Sequence, residues 1–221
     1  MKKKQEFKIC TVIQGKNLDA FLKNLKKAQA SATMVELRAD DIKGFKIEDV
    51  ATLKKATKVP AIFTFRHKKE GGLFGGAVGK QKAILKKAFD LGFTYIDIAD
   101  DNSILKELGA KEKKHLLISW HNHDETPSIE ELENILTKMR THKPAVMKFA
   151  AFVNHKNDIP VLEALLKKKK KTEKLVVIGM GKKGEVTRLN FPKVGSYIAY
   201  VVMKGEKDIA PGILTAEDFK K

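Results

Sequence analysis

Short apolar runs, many of them rich in β-branched residues, alternate along this chain with longer segments in which apolar residues recur every three or four positions. The first pattern is typical of buried β-strands and the second of amphipathic helices. Eight runs fit the strand pattern: residues 7–13, 34–37, 60–65, 94–98, 115–120, 145–150, 175–178 and 196–202. The order of the patterns therefore predicts strands separated by helices.

Helical patterns fill most of the gaps between these strands. In the first gap, Phe21 and Leu25 fall on one helical face. Ser128 followed by Glu131 forms a capping box, which predicts the start of a helix because each side chain can bond the backbone of the other residue. Asp158 is expected to cap the helix that follows the sixth strand.

Alternating strands and helices predict a parallel sheet covered by helices. Eight such units in 221 residues match a compact α/β fold, the (β/α)8 TIM barrel, and we expect residues 1–221 to form a single barrel domain. A doubly wound open sheet is the alternative. In a barrel the carboxyl ends of all strands face one mouth, so the residues that follow the strands are the candidates for function.

The composition is that of a globular protein, since 43% of the residues are hydrophobic and 32% are charged. The single cysteine, Cys10, excludes an internal disulfide and fits a reducing compartment. The basic start lacks the apolar stretch of a secretory signal, and no run approaches the roughly 18 apolar residues of a membrane span. We therefore expect a cytoplasmic protein without a membrane partner.

The net charge of +17 raises nucleic acid as a partner. The lysines are spread over nearly every helical segment, however, and only 7% of the residues are aromatic. Surfaces that bind single strands concentrate basic side chains and interleave them with stacking aromatics. We expect no nucleic-acid partner, and a lysine-rich nucleic-acid-binding barrel is the non-enzymatic alternative.

Only four of the 44 basic residues are arginine. The planar guanidinium group binds a carboxylate or phosphate at two points, which a lysine ammonium group cannot do. Arg38, Arg66 and Arg188 follow apolar runs, the last after a glycine-rich turn, and they indicate a site for a small anion. Arg140 ends a helical pattern and is expected at the surface. Chance placement of the arginines in surface salt bridges is the alternative.

Lys148 is anomalous because it interrupts the apolar run 145–150. Burying an ammonium group in a strand is costly unless the group is paired or deprotonated. A free amine at such a position can attack a ketone and form an imine. The alternative is an exposed lysine on an edge strand, but the flanking Val146, Met147 and Phe149 argue against it. The sequence therefore predicts that Lys148 is a nucleophile.

Two histidines follow the fifth predicted strand. His123 is a candidate general base for a nucleophilic lysine in the same barrel mouth. His121 and His123 also resemble the His-x-His of metal-dependent barrel hydrolases, but a metal would need further ligands from other strand ends. We expect no metal.

Two glycine-rich segments resemble nucleotide-binding loops. Residues 179–184 fit G-x-G-x-x-G after a strand, but too little chain follows for a dinucleotide-binding domain. Residues 75–80 resemble a phosphate-binding loop, but Phe74 takes the place of the first glycine and Gln81 that of the Ser or Thr. We interpret the first segment as a barrel loop near an anion and the second as a loop after Glu70 that leads into a helix. No cofactor is expected.

Seven separate segments together resemble one enzyme family, and each lies at a predicted strand end. They are MVELRAD, FTFRHKKEGG, YIDIAD, SWHNHDETPS, VMKFAAF, MGKKGEVTR and IAPG, in the order and spacing of the type I 3-dehydroquinate dehydratases. The resemblance spans about residues 7–217. It implies a (β/α)8 fold and a cofactor-independent lyase that converts 3-dehydroquinate to 3-dehydroshikimate in the shikimate pathway of aromatic amino acid biosynthesis. It also implies a homodimer.

The resemblance assigns roles by position. Lys148 matches the lysine that forms a Schiff base with the substrate ketone, and His123 matches the histidine that removes the adjacent proton. Glu70 matches the carboxylate that orients this histidine. Five positions match residues around the bound substrate: Glu36, Arg38, Arg66, Asp97 and Arg188.

The sequence departs from the family in its final loop, where Ile209 and Ile213 replace two polar residues expected over the substrate. Ala99 stands where the family often has a glutamate, and Thr187 replaces a serine. Losing hydrogen bonds in the loop is expected to weaken substrate binding while leaving the amine and the base intact. The alternatives are a diverged homologue with another substrate and another Schiff-base barrel lyase, such as an aldolase.

Overall fold

A computed structural model of the chain describes residues 7–203 and 214–219. Nine strands lie in these residues: β1 (Lys8–Ile13), β2 (Val35–Arg38), β3 (Ala61–Thr64), β4 (Tyr95–Ala99), β5 (Leu116–Asn122), β6 (Val146–Phe152), β7 (Leu175–Met180), β8 (Ile198–Val202) and β9 (Leu214–Thr215). The same residues contain seven α-helices: α1 (Leu18–Gln29), α2 (Asp49–Ala56), α3 (Val78–Asp90), α4 (Ala110–Lys113), α5 (Ile129–Thr141), α6 (Asp158–Lys167) and α7 (Gly181–Lys193). Within this described part of the chain, no helix has the length and hydropathy of a membrane span.

The eight predicted strands are confirmed, each to within two residues at either end. Strands β5, β6 and β7 each continue two residues beyond their predicted ends. The glycine-rich turn predicted at residues 179–184 is instead the end of β7 and the first turn of α7. The short strand β9, which pairs in parallel with β8, was not predicted.

Contacts divide the chain into two compact units. The N-terminal unit comprises Thr11–Ile118, and the C-terminal unit comprises Ser119–Lys221 together with Met1–Cys10. The boundaries fall inside β1 and β5.

The N-terminal unit contains parallel strands paired in the order β1, β2, β3, β4. The register places Glu36 opposite Ile62, and it places Thr64 opposite Arg38 on one side and Asp97 on the other. Because parallel strands end at the same edge, polar side chains of three strands meet there.

Aromatic side chains fill the core of the N-terminal unit. Phe63 packs against Phe93 with ring centroids 5.1 Å apart, and Phe45 packs against Phe65 at 5.3 Å. Helix α1 adds Phe21, which is fully buried as its pattern predicts. Burying one such ring contributes about 1.5–3 kcal/mol. This core holds the strands whose ends carry the polar residues.

In the C-terminal unit, β6 and β7 pair in parallel with Lys148 opposite Val176. Tyr197, directly before β8, donates its backbone N–H to the Leu175 carbonyl of β7. Its own carbonyl accepts a hydrogen bond from the backbone N–H of Lys8 in β1. The start of β8 therefore lies between β7 and the first residues of β1, where its backbone groups are bonded on both sides.

Helix α5 begins as predicted, because Ser128 and Glu131 form the reciprocal bonds of a capping box at 3.3 and 3.0 Å. The helix after β6 is present as predicted, but the prediction that Asp158 caps it is wrong. Asp158 is the first residue of that helix, and its carboxylate accepts hydrogen bonds from the backbone N–H groups of Asn154 and His155. Asp158 therefore closes the turn that precedes α6.

Candidate active site

Lys148 lies in β6, and only 7% of the residue is exposed. Its neighbours Met147 and Phe149 are buried as well, which confirms the predicted burial of the lysine. The Nζ atom lies 4.4 Å from the centroid of the Tyr200 ring in β8. Lys148 and Tyr200 thus approach each other from alternate strands, as the residues of one interior layer of a barrel do.

A ring contact shows which side chains of β5 and β6 lie on the same side of the sheet. Trp120 of β5 and Phe149 of β6 have ring centroids 5.8 Å apart, so both side chains lie on one side of these neighbouring strands. Successive side chains alternate between the two sides of a strand. His121 and Lys148, which are next in sequence to these aromatic residues, therefore share the opposite face.

His123 lies beyond the strand. It is exposed and follows directly after β5 ends at Asn122, whereas His121 is half-buried within the strand. The two imidazole rings stack with centroids 6.1 Å apart and an interplanar angle of 15°. The sequence pattern ends this strand at Trp120 and so places His123 near its tip. Because the strand runs two residues further, His121 lies inside it on the Lys148 face, whereas His123 stacks on His121 from beyond the end of the strand.

The loop after β5 is fastened to the end of β6. The Asn122 side-chain oxygen accepts the backbone N–H of Asp124 at 2.9 Å and closes the turn. The Asn154 side chain donates to the Asp124 carbonyl at 2.7 Å, and the Thr126 hydroxyl donates to the Phe152 carbonyl at 2.8 Å. These bonds hold the histidine segment beside the strand that carries the lysine.

Close packing at the start of α7 explains its glycines. A Cβ at Gly184 would meet the carbonyl carbon of Gly179 at 2.5 Å, so the helix can approach β7 this closely only without a side chain there. The Thr187 hydroxyl accepts the Gly179 N–H at 2.8 Å and donates to the Gly184 carbonyl at 2.7 Å. A serine hydroxyl could make the same bonds, so this departure from the family preserves the packing that positions Arg188.

Arg188 lies in the second turn of α7, and its predicted place at the end of a strand is wrong. Its Nε atom is buried and has no hydrogen-bond partner in the described part of the chain. Burial lowers the pKa of the guanidinium group, and the charge of Glu185 opposes that shift. A buried donor that lacks a partner costs about 1–3 kcal/mol. This group is therefore suited to bind a carboxylate.

Tyr200 connects the lysine with the arginine. Its ring lies against Lys148 Nζ, and Tyr200 and Arg188 both line a cavity of about 10 Å³ beside β7, β8 and α7. Tyr200 was not predicted as a site residue, because an aromatic residue in the apolar run 196–202 has the pattern of an ordinary core residue. Only the position of the lysine in three dimensions distinguishes it.

In the N-terminal unit, polar groups surround the end of β2. The buried Glu36 carboxylate accepts a hydrogen bond from the Thr64 hydroxyl at 2.9 Å. Arg38 binds Asp40 at two points, with Nε–Oδ1 at 3.0 Å and Nη2–Oδ2 at 2.8 Å. Burial lowers the pKa of Arg38, but the hydrogen bonds with Asp40 and the charges of Asp40, Glu36 and Asp97 outweigh it and raise the pKa above its ordinary value. Arg38 is therefore a fixed cation.

Arg66 is also paired with a carboxylate of its own unit. Its Nη2 lies 2.6 Å from Asp97 Oδ1, and both side chains are buried. Arg140, expected at the surface, is half-buried and binds Glu173 at two points. Three of the four arginines thus use their guanidinium groups on carboxylates of the chain itself. The two-point binding that the arginine pattern indicates is present, but much of it is structural.

Glu70 is held by three N–H donors. Its Oε2 accepts from the His67 backbone at 3.1 Å and from the Gln81 side chain at 2.8 Å, while its Oε1 accepts from the Asn102 side chain at 2.6 Å. No local sequence signal marks Gln81 and Asn102, since they come from other elements, 11 and 32 residues along the chain. Together they fix both oxygens of one carboxylate.

The predicted site residues divide between the two units. The C-terminal unit carries Lys148, His123 and Arg188, and the N-terminal unit carries the others: Glu36, Arg38, Arg66, Glu70 and Asp97. In residues 7–203 and 214–219, no group of three or more His, Cys, Asp or Glu residues is arranged to hold a metal ion. The final-loop residues Ile209 and Ile213 lie outside the described residues.

Comparison with known proteins identifies relatives over nearly the whole chain. A family model described as Type I 3-dehydroquinase matches residues 9–221. A 3-dehydroquinate dehydratase of Coxiella burnetii is 38% identical over 216 residues, which cover 96% of this chain and 91% of the relative. A 3-dehydroquinate dehydratase of Methanocaldococcus jannaschii is 32% identical over 221 residues and covers 96% of both chains.

Solved structures share the fold. The 3-dehydroquinate dehydratase of Geobacillus kaustophilus matches with a TM-score of 0.85 and 21% identity, covering 97% of this chain and 89% of that one. The enzyme of the same description from Aquifex aeolicus matches with a TM-score of 0.81 and 25% identity, covering 97% and 96%. These similarities confirm the predicted α/β fold class of the TIM-barrel type, in place of the doubly wound alternative.

Proposed function

Because this chain belongs to the type I 3-dehydroquinase family and is a hydro-lyase of the shikimate pathway that acts as a 3-dehydroquinate dehydratase, we propose that it works through an imine on Lys148. The observation that carries this proposal is the burial of a single amine among apolar neighbours in β6, with its Nζ 4.4 Å from the Tyr200 ring centroid. Such a setting keeps the amine away from bulk water and directs it at a bound ketone.

The chemistry follows from the amine. Its nitrogen adds to the carbonyl carbon of 3-dehydroquinate, and loss of water from the adduct gives an iminium ion, which acidifies the adjacent C–H bond. Removal of that proton forms an enamine, which expels the hydroxyl group β to the former carbonyl as water when that oxygen receives a proton. Hydrolysis of the product imine returns the free amine. The water lost in imine formation is regained there, so one water leaves overall.

We propose that His121 transfers these protons. It lies on the Lys148 face of β5 and is half-buried, whereas His123 is exposed beyond the strand and stacks on His121. A general base must come within hydrogen-bond reach of the proton that it removes. The assignment of this role to His123 stays a prediction from the sequence, and the two assignments are separable by substitution.

The role of Glu70, to orient the histidine that transfers protons, stays a prediction from the sequence. The other predicted residues are proposed to bind the substrate. Arg188 is the strongest candidate for its carboxylate, because its buried Nε is a donor suited to an anion. Arg38 carries five N–H donors, of which Asp40 takes two, so it retains donors for a ligand. Glu36, Arg66 and Asp97 are proposed as partners of the substrate hydroxyls and carboxylate.

We propose that the two units form one catalytic domain, since the family model spans residues of both. The cytoplasmic location and the homodimer stay predictions from the sequence. The oligomeric state is measurable by light scattering of the purified chain.

The proposed function has a direct test. The purified chain, in buffer with EDTA and no added cofactor, is expected to convert 3-dehydroquinate to 3-dehydroshikimate. The ultraviolet absorbance of the conjugated product follows the reaction, and NMR identifies the product. A folded preparation that forms no 3-dehydroshikimate would refute the proposal.

Asn102→Asp is expected to lower kcat by at least about tenfold, because the predicted role of Glu70 is to orient the catalytic histidine, and displacing such a group disturbs the catalytic geometry. The substitution keeps the side-chain oxygen that accepts the Ile104 N–H and replaces the amide that donates to Glu70 Oε1 with a second carboxylate. Two facing carboxylates repel each other. The loss in kcat is therefore expected to shrink as the pH falls and one of them takes up a proton.

Asn17→Asp is the matched control. Asn17 also caps a helix through its side-chain oxygen, which accepts the Ala20 N–H, but it is exposed and takes no part in the proposed site. Its kcat and pH profile are expected to match those of the wild type. An Asn102→Asp enzyme with a wild-type pH profile and kcat would show that support of Glu70 by this amide is dispensable.

A further inference from the structure

We propose that the N-terminal unit carries a second ligand site, for a small organic polyanion, in a cavity of about 640 Å³. The cavity is formed by Lys16, by residues 40–45 after β2 and, after β3, by Lys68, residues 73–76 and Lys80. None of the residues proposed for the dehydration lines it. A cavity of this volume is in the range of small-molecule sites.

The charges in the cavity favour an anion. Four of its lining residues are the lysines Lys16, Lys43, Lys68 and Lys80, and two are aspartates. Both aspartates are already engaged, Asp41 by Lys16 and Asp40 by Arg38. Lys43, Lys68 and Lys80 form no ion pair with an acidic side chain in the described part of the chain.

The position of Lys80 adds to this positive potential. Lys80 lies in the first turn of α3, and that turn contains no acidic residue. A cation is unfavourable at the start of a helix, where the dipole already presents positive charge. The first turn of α3 thus carries a positive side chain where a negative one would stabilise the helix. A bound anion would neutralise it.

The cations of the cavity suit an anion that carries several charges. All of them are lysines, whose ammonium groups act as compact point charges and not as two-point binders. Several point charges around one cavity favour a small ligand with several negative charges close together, such as a diphosphate.

The rest of the lining suits a carbon skeleton beside the charged groups of the ligand. Phe45, Leu73 and Phe74 contribute apolar surface, and Gly75 and Gly76 bring the backbone to the cavity. The Lys68 side chain packs within 3.3 Å of the position that a Cβ at Gly75 would take.

The test is a calorimetric titration of the full chain with inorganic pyrophosphate at low ionic strength. We expect one site per chain for the wild type. The double variant Lys43→Gln/Lys80→Gln is expected to bind at least about tenfold more weakly, since it removes two nearby charges. The matched control is Lys26→Gln/Lys27→Gln, which makes the same charge change in the same unit, at exposed residues of α1 that do not line the cavity.

The control is expected to bind pyrophosphate within about twofold of the wild type. Equal losses of pyrophosphate affinity in the two double variants would show diffuse attraction to a basic surface and overturn the proposal. Unchanged binding by Lys43→Gln/Lys80→Gln, or no binding by the wild type, would overturn it as well. Thermal melting by circular dichroism establishes that each variant is folded.

Discussion

Lys148→Met is expected to lower the rate of dehydration by at least about 10⁴-fold, because losing a covalent nucleophile removes the whole imine route. Methionine retains an unbranched side chain that can pack against the Tyr200 ring. The variant should therefore fold and still bind substrate. Stopped assays of product formation measure the rate, and calorimetry with the product measures binding.

Lys174→Met is the control for this substitution. Lys174 also places its Nζ over an aromatic ring, 5.0 Å from the centroid of Tyr197 in the same unit, and it is exposed. Removing this second lysine–ring contact should leave the rate within about twofold of the wild type. Substantial turnover by Lys148→Met would assign the amine to another residue.

His121→Gln is expected to lower kcat by about 10²–10⁴-fold while leaving imine formation intact, since general acid–base catalysis contributes that much. His123→Gln is expected to lower kcat by less than about tenfold. The reason is the geometry of β5, which places His121 on the Lys148 face and leaves His123 exposed after Asn122. Mass spectrometry after reduction detects the imine in each variant, and steady-state assays give kcat.

These two variants show whether His121 or His123 transfers the protons. A large loss of kcat in His123→Gln, with near-normal kcat in His121→Gln, would assign proton transfer to His123, as the sequence alone predicts. Large losses in both would indicate that the stacked rings act together. Both variants should show wild-type melting temperatures, because neither histidine is fully buried.

The strands could be predicted because a buried strand requires an apolar run in the local sequence. A run such as residues 175–178 is apolar at every position, which fits a parallel strand covered on both faces. The ends of the strands were predicted less accurately. In β5 the polar residues His121 and Asn122 continue the strand beyond the apolar run, and no local pattern shows that they do. The face that each histidine takes therefore could not be read from the sequence.

The burial of Lys148 could be predicted, because its charge interrupts a run that is otherwise apolar. The partners of the candidate site residues could not be predicted. Tyr200 resembles any core aromatic residue, and Asn102 reaches Glu70 from 32 residues away. Arg38 was recognised as a two-point binder, but its partner Asp40 is two residues along the same chain. Which carboxylate an arginine binds depends on the folded arrangement.

The most direct measurement is borohydride reduction of the chain during turnover of 3-dehydroquinate, followed by peptide mass spectrometry. Reduction converts an imine to a stable secondary amine, which leaves the ligand attached to the lysine that formed it. We expect one adduct, on the peptide that contains Lys148, and no adduct in Lys148→Met. An active enzyme that yields no adduct, or that carries it on a different lysine, would contradict the account.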